Sequence, residues 1–257
     1  MRVLTKFAAV ALAYCLAVVA SASRAAEVRV AVAANFIAPM TQIALGFEKS
    51  TGHKAQLTTG ATGRFFAQIS NGAPFDVLLA ADSTTPAKLE QDGLAVTGSR
   101  FTYAVGRLVL WSAATGTVDS QGDVLRRGDF TRLAIAAPLL APYGAAAVQT
   151  LERLGLRAAT QPKWVTGESI GQAFSMVATG NAQLGFVAAS QVFENGQLKS
   201  GSAWLVPADL HSPIRQDAVL LNKGKSNPAA AALLAYLQGD AAKAVMASFG
   251  YEAPGRQ

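Results

Sequence analysis

The chain has 257 residues and a formal net charge of +6, from 22 Lys and Arg against 16 Asp and Glu. Half of that net charge lies at Arg2, Lys6 and Arg24, and the other basic residues are scattered, so the basic stripe that a nucleic-acid partner requires is missing. A single cysteine, Cys15, excludes an intramolecular disulfide and a site with several thiolate ligands to a metal.

Residues 1–25 have the pattern of a secretory signal peptide. A basic start precedes an apolar run over residues 7–19, and small residues ending at Ala25 offer a cleavage site. The apolar run is shorter than the roughly 20 residues that span a bilayer. We therefore expect the mature protein to begin near Ala26 and to work outside the cytoplasm.

The chain then alternates β-branched runs with helical patterns. Up to residue 112, the predicted strands are 28–33, 54–59, 75–80 and 103–112, and the predicted helices are 36–49, 64–70 and 85–92. Asn35 is predicted to be the N-cap of the first helix. The run 103–112 is predicted to be one longer strand.

The alternation restarts after a polar segment over 113–128. The predicted strands are then 132–136, 163–166, 183–187, 204–206 and 217–221, and the predicted helices are 143–154, 169–179, 228–237 and 241–248. Alternating strands and helices indicate an α/β protein with mostly parallel sheets. The restart favours two lobes over one long sheet.

Four predicted helices begin with small or polar residues directly after a strand. The segments are 33–35, 60–63, 142–144 and 167–170. Loops that leave the carboxyl ends of strands are where α/β folds bind ligands, and helix starts offer unpaired N–H groups and positive dipole ends to an anion. Each segment alone is also explained by ordinary helix capping, but together they predict an uncharged anion site.

One motif points to a different class of function. Residues 167–171 satisfy G-x-S-x-G, the nucleophile elbow of α/β-hydrolases, with Ser169 as the nucleophile. Its partners would have to be His211 and Asp209, which lie only two residues apart, whereas such triads place the acid and the histidine on separate loops. The competing interpretation is that Ser169 or Gly167 opens a helix.

At these residues the chain resembles the periplasmic molybdate-binding proteins, the solute receptors of molybdate ABC importers. The resemblance covers essentially the whole mature chain. Its clearest segments are VRVAVAANF (28–36), TGATGRFFAQI (59–69), NGAPFDVLLAAD (71–82), RFTYAVGRLVLW (100–111) and QLGFVAASQV (183–192).

The resemblance implies contacts to the oxyanion at matching positions. They fall on Asn35, on Thr62 with Ala61 beside it, on Tyr143, and on Ile170 through its backbone N–H. Some members carry a further tyrosine where this chain has Ala188, and Tyr143 is expected to take over that contact. Molybdenum would be bound only as the oxyanion, with no direct protein ligand to the metal, no cofactor and no catalytic residue.

The resemblance also implies a two-lobed type II periplasmic-binding fold, in which each lobe is a mostly parallel sheet flanked by helices. Two crossover strands, near Gly106 and Pro213, would join a first lobe of residues 26–106 and 213–257 to a second of residues 107–212. The expected protein is a periplasmic monomer that binds molybdate or tungstate and meets the membrane permease subunits of an ABC importer. A receptor for another oxyanion, such as sulfate, thiosulfate or phosphonate, is the alternative within the same class.

Overall fold

The computed structural model describes residues 25–255. The predicted signal peptide lies outside the described residues, except for Ala25. Within the described range, no helix is long and apolar enough to cross a membrane.

Residues 25–255 form twelve strands and ten α-helices. The strands are β1 (Glu27–Ala33), β2 (Lys54–Gly60), β3 (Val77–Leu79), β4 (Phe101–Gly106), β5 (Leu108–Ser112), β6 (Leu133–Ala136), β7 (Trp164–Gly167), β8 (Leu184–Ala188), β9 (Phe193–Glu194), β10 (Gln197–Leu198), β11 (Ser202–Leu205) and β12 (Ile214–Leu220). The helices are α1 (Ile37–Thr51), α2 (Thr62–Ser70), α3 (Thr84–Gln91), α4 (Val124–Arg127), α5 (Pro142–Arg153), α6 (Arg157–Thr160), α7 (Ile170–Ala178), α8 (Ala189–Val192), α9 (Pro228–Leu237) and α10 (Asp240–Ser248).

Two five-stranded sheets carry the fold. The first has the order β2-β1-β3-β12-β4 and the second has the order β11-β5-β8-β6-β7, while β9 and β10 form a small separate hairpin. The chain therefore builds most of the first sheet, passes to the second after β4, and returns with β12. The predicted α/β class and the division into two sheet-based halves are confirmed.

Alternation along β1 explains how helices cover both faces of the first sheet. Val28, Val30 and Val32 point to one face, where they pack with α1, α9 and α10. Ala31 points to the other face, where it packs with α2 and α3. A strand covered on both faces needs apolar residues throughout, and the three residues of β3 are all fully buried.

The predicted single strand over 103–112 is two strands in different sheets. β4 ends at Gly106 in the first sheet, and β5 begins at Leu108 in the second, with only Arg107 between them. An unbroken β-type pattern cannot reveal that the segment changes hydrogen-bonding partners midway, because both halves are extended and apolar.

The sheets are also more mixed than the predicted mostly parallel arrangement. In each sheet two pairings are parallel and two are antiparallel. In both sheets most strands end, at their carboxyl ends, at the space between the sheets. A strand that crosses over from the other sheet begins at that space and therefore runs in the opposite direction. Accordingly β5 is antiparallel to β8, and β12 is antiparallel to β3 and β4.

Candidate functional site

The four predicted helix starts converge on one small pocket between the two sheets. Its cavity volume is about 10 Å³, which is room for about one water molecule. The residues that line it are Ala33, Ala34, Asn35, Gly60, Ala61, Thr62, Ala81, Ala141, Pro142, Tyr143, Ser169 and Ile170. All five residues singled out from the sequence, Asn35, Ala61, Thr62, Tyr143 and Ile170, are among them, and none of the twelve carries a charged side chain.

Asn35 is held by its side chain and is not the predicted N-cap. It lies in a short 3₁₀ helix, Ala34–Phe36, between β1 and α1, and no side chain caps either helix. Its Nδ2 donates to Oε1 of Gln216 at 2.8 Å and to the hydroxyl of Tyr251 at 2.9 Å. Its Oδ1 is buried with no hydrogen-bond partner among the described residues. The cap prediction is wrong because Nδ2 donates to Gln216 and Tyr251, and in this orientation Oδ1 accepts from no local N–H group.

Thr62 presents a hydroxyl from the first residue of α2. The preceding Ala61 is extended, with φ −79° and ψ 142°, and no side chain caps the helix. The Thr62 Oγ1 accepts from the backbone N–H of Ala81 at 3.0 Å, and the residue is 1% exposed. A hydroxyl that accepts one bond keeps its own proton for another acceptor.

Tyr143 presents a hydroxyl in the same manner from the second sheet's side. It is the second residue of α5, whose first position is the favourable Pro142. Its Oη accepts from Nε2 of Gln216 at 3.1 Å. Burial raises the pKa of the Tyr143 phenol well above its usual value, so the phenol stays protonated and available as a donor.

Ile170 is the first residue of α7, where only its backbone can meet an anion. The Oγ of Ser169 caps this helix by accepting from the N–H of Gln172 at 3.3 Å. The Ile170 side chain is 3% exposed and packs in the core of the second sheet. The first N–H group of a helix has no partner within the helix, so it is available to a ligand.

Ser169 acts as a helix cap and lacks the partners of a hydrolase nucleophile. His211 places its Nδ1 2.8 Å from the carbonyl oxygen of Ser212. Within residues 25–255 no hydrogen bond joins Ser169, His211 and Asp209. The nucleophile-elbow pattern is therefore a strand-to-helix turn with a serine cap.

Gln216, which sequence reasoning missed, joins the two sides of the pocket. It lies in β12 at a register shift between residues 216 and 217, and it is fully buried. It bonds Asn35 and Tyr143, and the Tyr103 hydroxyl lies 3.0 Å from both its Oε1 and the Ala80 carbonyl. No local sequence signal marked this glutamine, and the predicted strand began only at residue 217.

Three contacts close the space between the sheets around the pocket. The N–H of Gly63 donates to the carbonyl of Leu140 at 2.9 Å. The Ser190 hydroxyl donates to the carbonyl of Asn35 at 2.7 Å. Arg64 and Glu168 form a half-exposed ion pair at 2.6 Å. Ala188, the position of the tyrosine found in some molybdate-binding proteins, is fully buried and does not line the pocket.

Two larger grooves flank the pocket, and each contains some of the helix starts. Their volumes are about 430 Å³ and about 500 Å³. The first contains Asp82 and Arg215, and the second contains Lys199. Of these three spaces among the described residues, the small pocket is the one that gathers all four helix starts and no charged side chain.

Comparison with known proteins places this arrangement in a family. The model of the bacterial extracellular solute-binding proteins matches residues 28–252. A molybdate-binding protein, ModA, of Azotobacter vinelandii is 62% identical over 232 residues, which is 90% of this chain and 92% of that protein. ModA of Rhodobacter capsulatus is 49% identical, over 88% of each chain.

Solved structures give the same grouping. The periplasmic molybdate-binding protein of Azotobacter vinelandii superposes with a TM-score of 0.86 and 42% identity, covering 89% of this chain and all of that one. A sulfate-binding protein of Mycobacterium tuberculosis superposes with a TM-score of 0.75 at 12% identity, which shows a shared fold only.

Proposed function

The chain belongs to the molybdate-binding proteins of the bacterial extracellular solute-binding family, and from this premise we propose that it captures molybdate between its two sheets and delivers it to an ABC importer. The observation that carries the proposal is the pocket itself. It gathers four helix starts and four polar side chains without one charged group. Such a pocket is suited to a small anion.

Neutral donors are sufficient to hold a doubly charged oxyanion. Hydrogen bonds to a charged group are about twice as strong as bonds between neutral groups. The positive ends of the helix dipoles at Thr62, Tyr143 and Ile170 add to them. We propose that the hydroxyls of Thr62 and Tyr143 and the backbone N–H groups near Asn35, Ala61 and Ile170 surround the anion. Both protons of the Asn35 Nδ2 are donated to Gln216 and Tyr251, so the proposed contact at this residue is through its backbone.

Size would then decide between anions of the same charge. Sulfate has the same charge as molybdate and is smaller, so it is rejected by a closed cavity that fits the larger ion. Molybdate and tungstate are nearly equal in size, and we propose that both are bound, with no cofactor.

Transport requires the site to open and close. We propose that residues 26–106 with 213–257 form one lobe, that residues 107–212 form the other, and that the two close on the anion. Relatives named as periplasmic support work in the periplasm, after removal of the signal peptide over 1–25. The membrane permease subunits of the importer are the proposed partners of a monomer.

A thermal-shift screen of the mature protein tests this function. A ligand that binds only the folded state stabilises it by about 2.7 kcal/mol at a hundredfold excess over Kd. Molybdate and tungstate should raise the melting temperature, and sulfate, thiosulfate and phosphonate at the same concentration should not. If only sulfate or only thiosulfate raised the melting temperature, the protein would be a receptor for that anion and not for molybdate. The capping role of Ser169 predicts no esterase activity.

A further inference from the structure

Gln216 is placed by an irregularity in β12. The pairing of β12 with β4 shifts register between Gln216 and Asp217, and both side chains are fully buried. Asp217 is satisfied by Arg100 at 2.6 Å and by Thr102 at 2.7 Å. Bulges of this kind re-aim side chains next to functional sites, and here the bulge lets Gln216 reach residues of both sheets.

The orientation of the Gln216 carboxamide follows from its neighbours. Oε1 accepts a proton from Nδ2 of Asn35 at 2.8 Å. The Tyr103 hydroxyl lies 3.0 Å from Oε1 and also 3.0 Å from the Ala80 carbonyl, and its one proton is shared between these two acceptors. With Asn35 donating to the oxygen, the amide nitrogen faces the other way. Nε2 therefore donates to the hydroxyl of Tyr143.

This bond determines where the Tyr143 proton can point. The hydroxyl has one proton, and that proton cannot face Gln216, which is itself a donor. The oxygen that competes for this proton is the Tyr251 hydroxyl, which interacts with Tyr143 and already accepts from Nδ2 of Asn35. No bond from the Tyr143 hydroxyl reaches hydrogen-bond geometry within residues 25–255. The unused proton is therefore available to an oxygen of the anion.

We propose that Gln216 is a positioning residue of the oxyanion site, which holds the phenol of Tyr143 as a donor to the bound anion. This inference rests on the proposed function of the pocket. Gln216 does not line the pocket, so it acts through Tyr143 and not by touching the ligand.

Gly106 keeps the pair together at the point where the chain leaves the first sheet. A Cβ at Gly106 would overlap the Tyr143 hydroxyl and would lie 2.5 Å from Nε2 of Gln216. A larger residue would push the phenol and the amide apart. The close approach of β4 thus has a role in the site, although Gly106 itself has no side chain to contribute.

Thr62 supplies the matched control. Its hydroxyl also accepts one bond and keeps its proton, but the donor is the backbone N–H of Ala81, which Gln216 does not touch. The link between them is indirect, because the Tyr103 hydroxyl lies 3.0 Å from both the Ala80 carbonyl and Oε1 of Gln216. A substitution of Gln216 should therefore alter the Tyr143 donor directly and the Thr62 donor much less.

A double-mutant cycle measured by molybdate calorimetry tests the inference. Gln216→Met keeps the length of the side chain and removes the amide, and it should raise Kd about tenfold, the equivalent of one hydrogen bond. In the Tyr143→Phe background the same change should raise Kd less than about twofold, and in the Thr62→Val background again about tenfold. A role that is merely structural predicts equal losses in all three backgrounds.

The outcomes separate the two proposals. If the wild-type protein does not bind molybdate, the proposed function fails. If it binds and Gln216→Met has no effect, or has the same effect in the Tyr143→Phe background, only the role of Gln216 is overturned. If Gln216→Met does not fold, as judged by circular dichroism, Gln216→Glu enters the same cycle, because it keeps an acceptor for Asn35 and loses the donor to Tyr143.

Discussion

Thr62 and Tyr143 face the same pocket from opposite sides and present a hydroxyl by the same device, but different parts of the molecule hold them. Thr62 is fixed by the backbone N–H of Ala81, which belongs to its own side of the pocket. Tyr143 is fixed by a side chain from β12 of the other sheet. One donor is therefore set within a lobe, and the other is completed only when both lobes meet.

The largest loss is expected from removing the donor that depends on both lobes. Tyr143→Phe should weaken molybdate binding by about 1.5–3 kcal/mol, the scale of a hydrogen bond to a charged group. Calorimetry gives the affinity, and a melt of the ligand-free variant is the control for folding. An unchanged Kd would mean that the ring only packs.

The locally held donor should have a somewhat smaller effect on binding. Thr62→Val keeps the shape of the side chain and should cost about 1.5–2 kcal/mol of molybdate affinity. It also leaves the buried N–H of Ala81 without its acceptor, so the ligand-free protein should melt at a lower temperature. A lower melting temperature with normal affinity would make Thr62 a structural residue and remove it from the site.

Substitutions of Ile170 test whether its backbone N–H is the donor that the second lobe contributes to the anion. Ile170→Pro removes the N–H at the first position of α7, where proline is tolerated, and should cost about 1.5 kcal/mol of molybdate affinity. Ile170→Ala is the matched control, because it removes the buried side chain and keeps the N–H. Equal losses of affinity in the two variants would assign the effect to packing.

The ion pair between Arg64 and Glu168 should matter less. Both side chains are about half exposed, and exposed ion pairs contribute about 0.2–1 kcal/mol. Arg64→Ala should weaken molybdate binding by no more than that, and the difference from wild type should vanish in high salt. A loss as large as that of Tyr143→Phe would show that lobe closure depends on this pair.

The smallest expected effect on affinity is that of pH. Burial raises the pKa of Tyr143 well above its usual value and that of Tyr251 to about 12, so both phenols stay neutral and affinity should be constant from about pH 7 to about pH 9. Because the folded state favours the protonated phenols, their stabilisation is complete below about pH 10, the ordinary tyrosine pKa, and is lost as pH rises through the higher folded values.

Melting temperature against pH measures that loss. The wild-type protein should lose stability above about pH 10, and Tyr143→Phe should lose less over the same range. A Tyr143→Phe curve identical to the wild-type curve would contradict the account of the buried phenol.

The sequence predicted the helices and strands well, but it predicted less well how the strands pair into sheets. Runs of β-branched and apolar residues such as Val28 to Ala33 predicted strands whose bounds agree within a few residues, because the preference of these residues for a pleated, buried surface can be recognised locally. The prediction of a single strand over 103–112 was wrong, because an apolar run has the same pattern whether its two halves pair within one sheet or in two different sheets. The helix starts pointed to one pocket, where the five candidate residues lie together, although their contacts with an anion stay a prediction.

Gln216 shows why part of the site could not be predicted. Its role depends on a register shift in β12 and on partners that lie 73 and 181 residues away along the chain. The same long-range bonds made Asn35 a member of a network where local rules predicted an N-cap. Local patterns identify the groups that can bind, whereas the orientation of their protons depends on tertiary contacts.

Calorimetric titration of the mature wild-type protein with molybdate, tungstate and sulfate tests the central claim most directly. A closed pocket of neutral donors from two lobes predicts one site per chain, similar affinities for molybdate and tungstate, and no heat of binding from sulfate at the same concentrations. Binding of sulfate as tight as that of molybdate, or no binding of molybdate, would contradict the account.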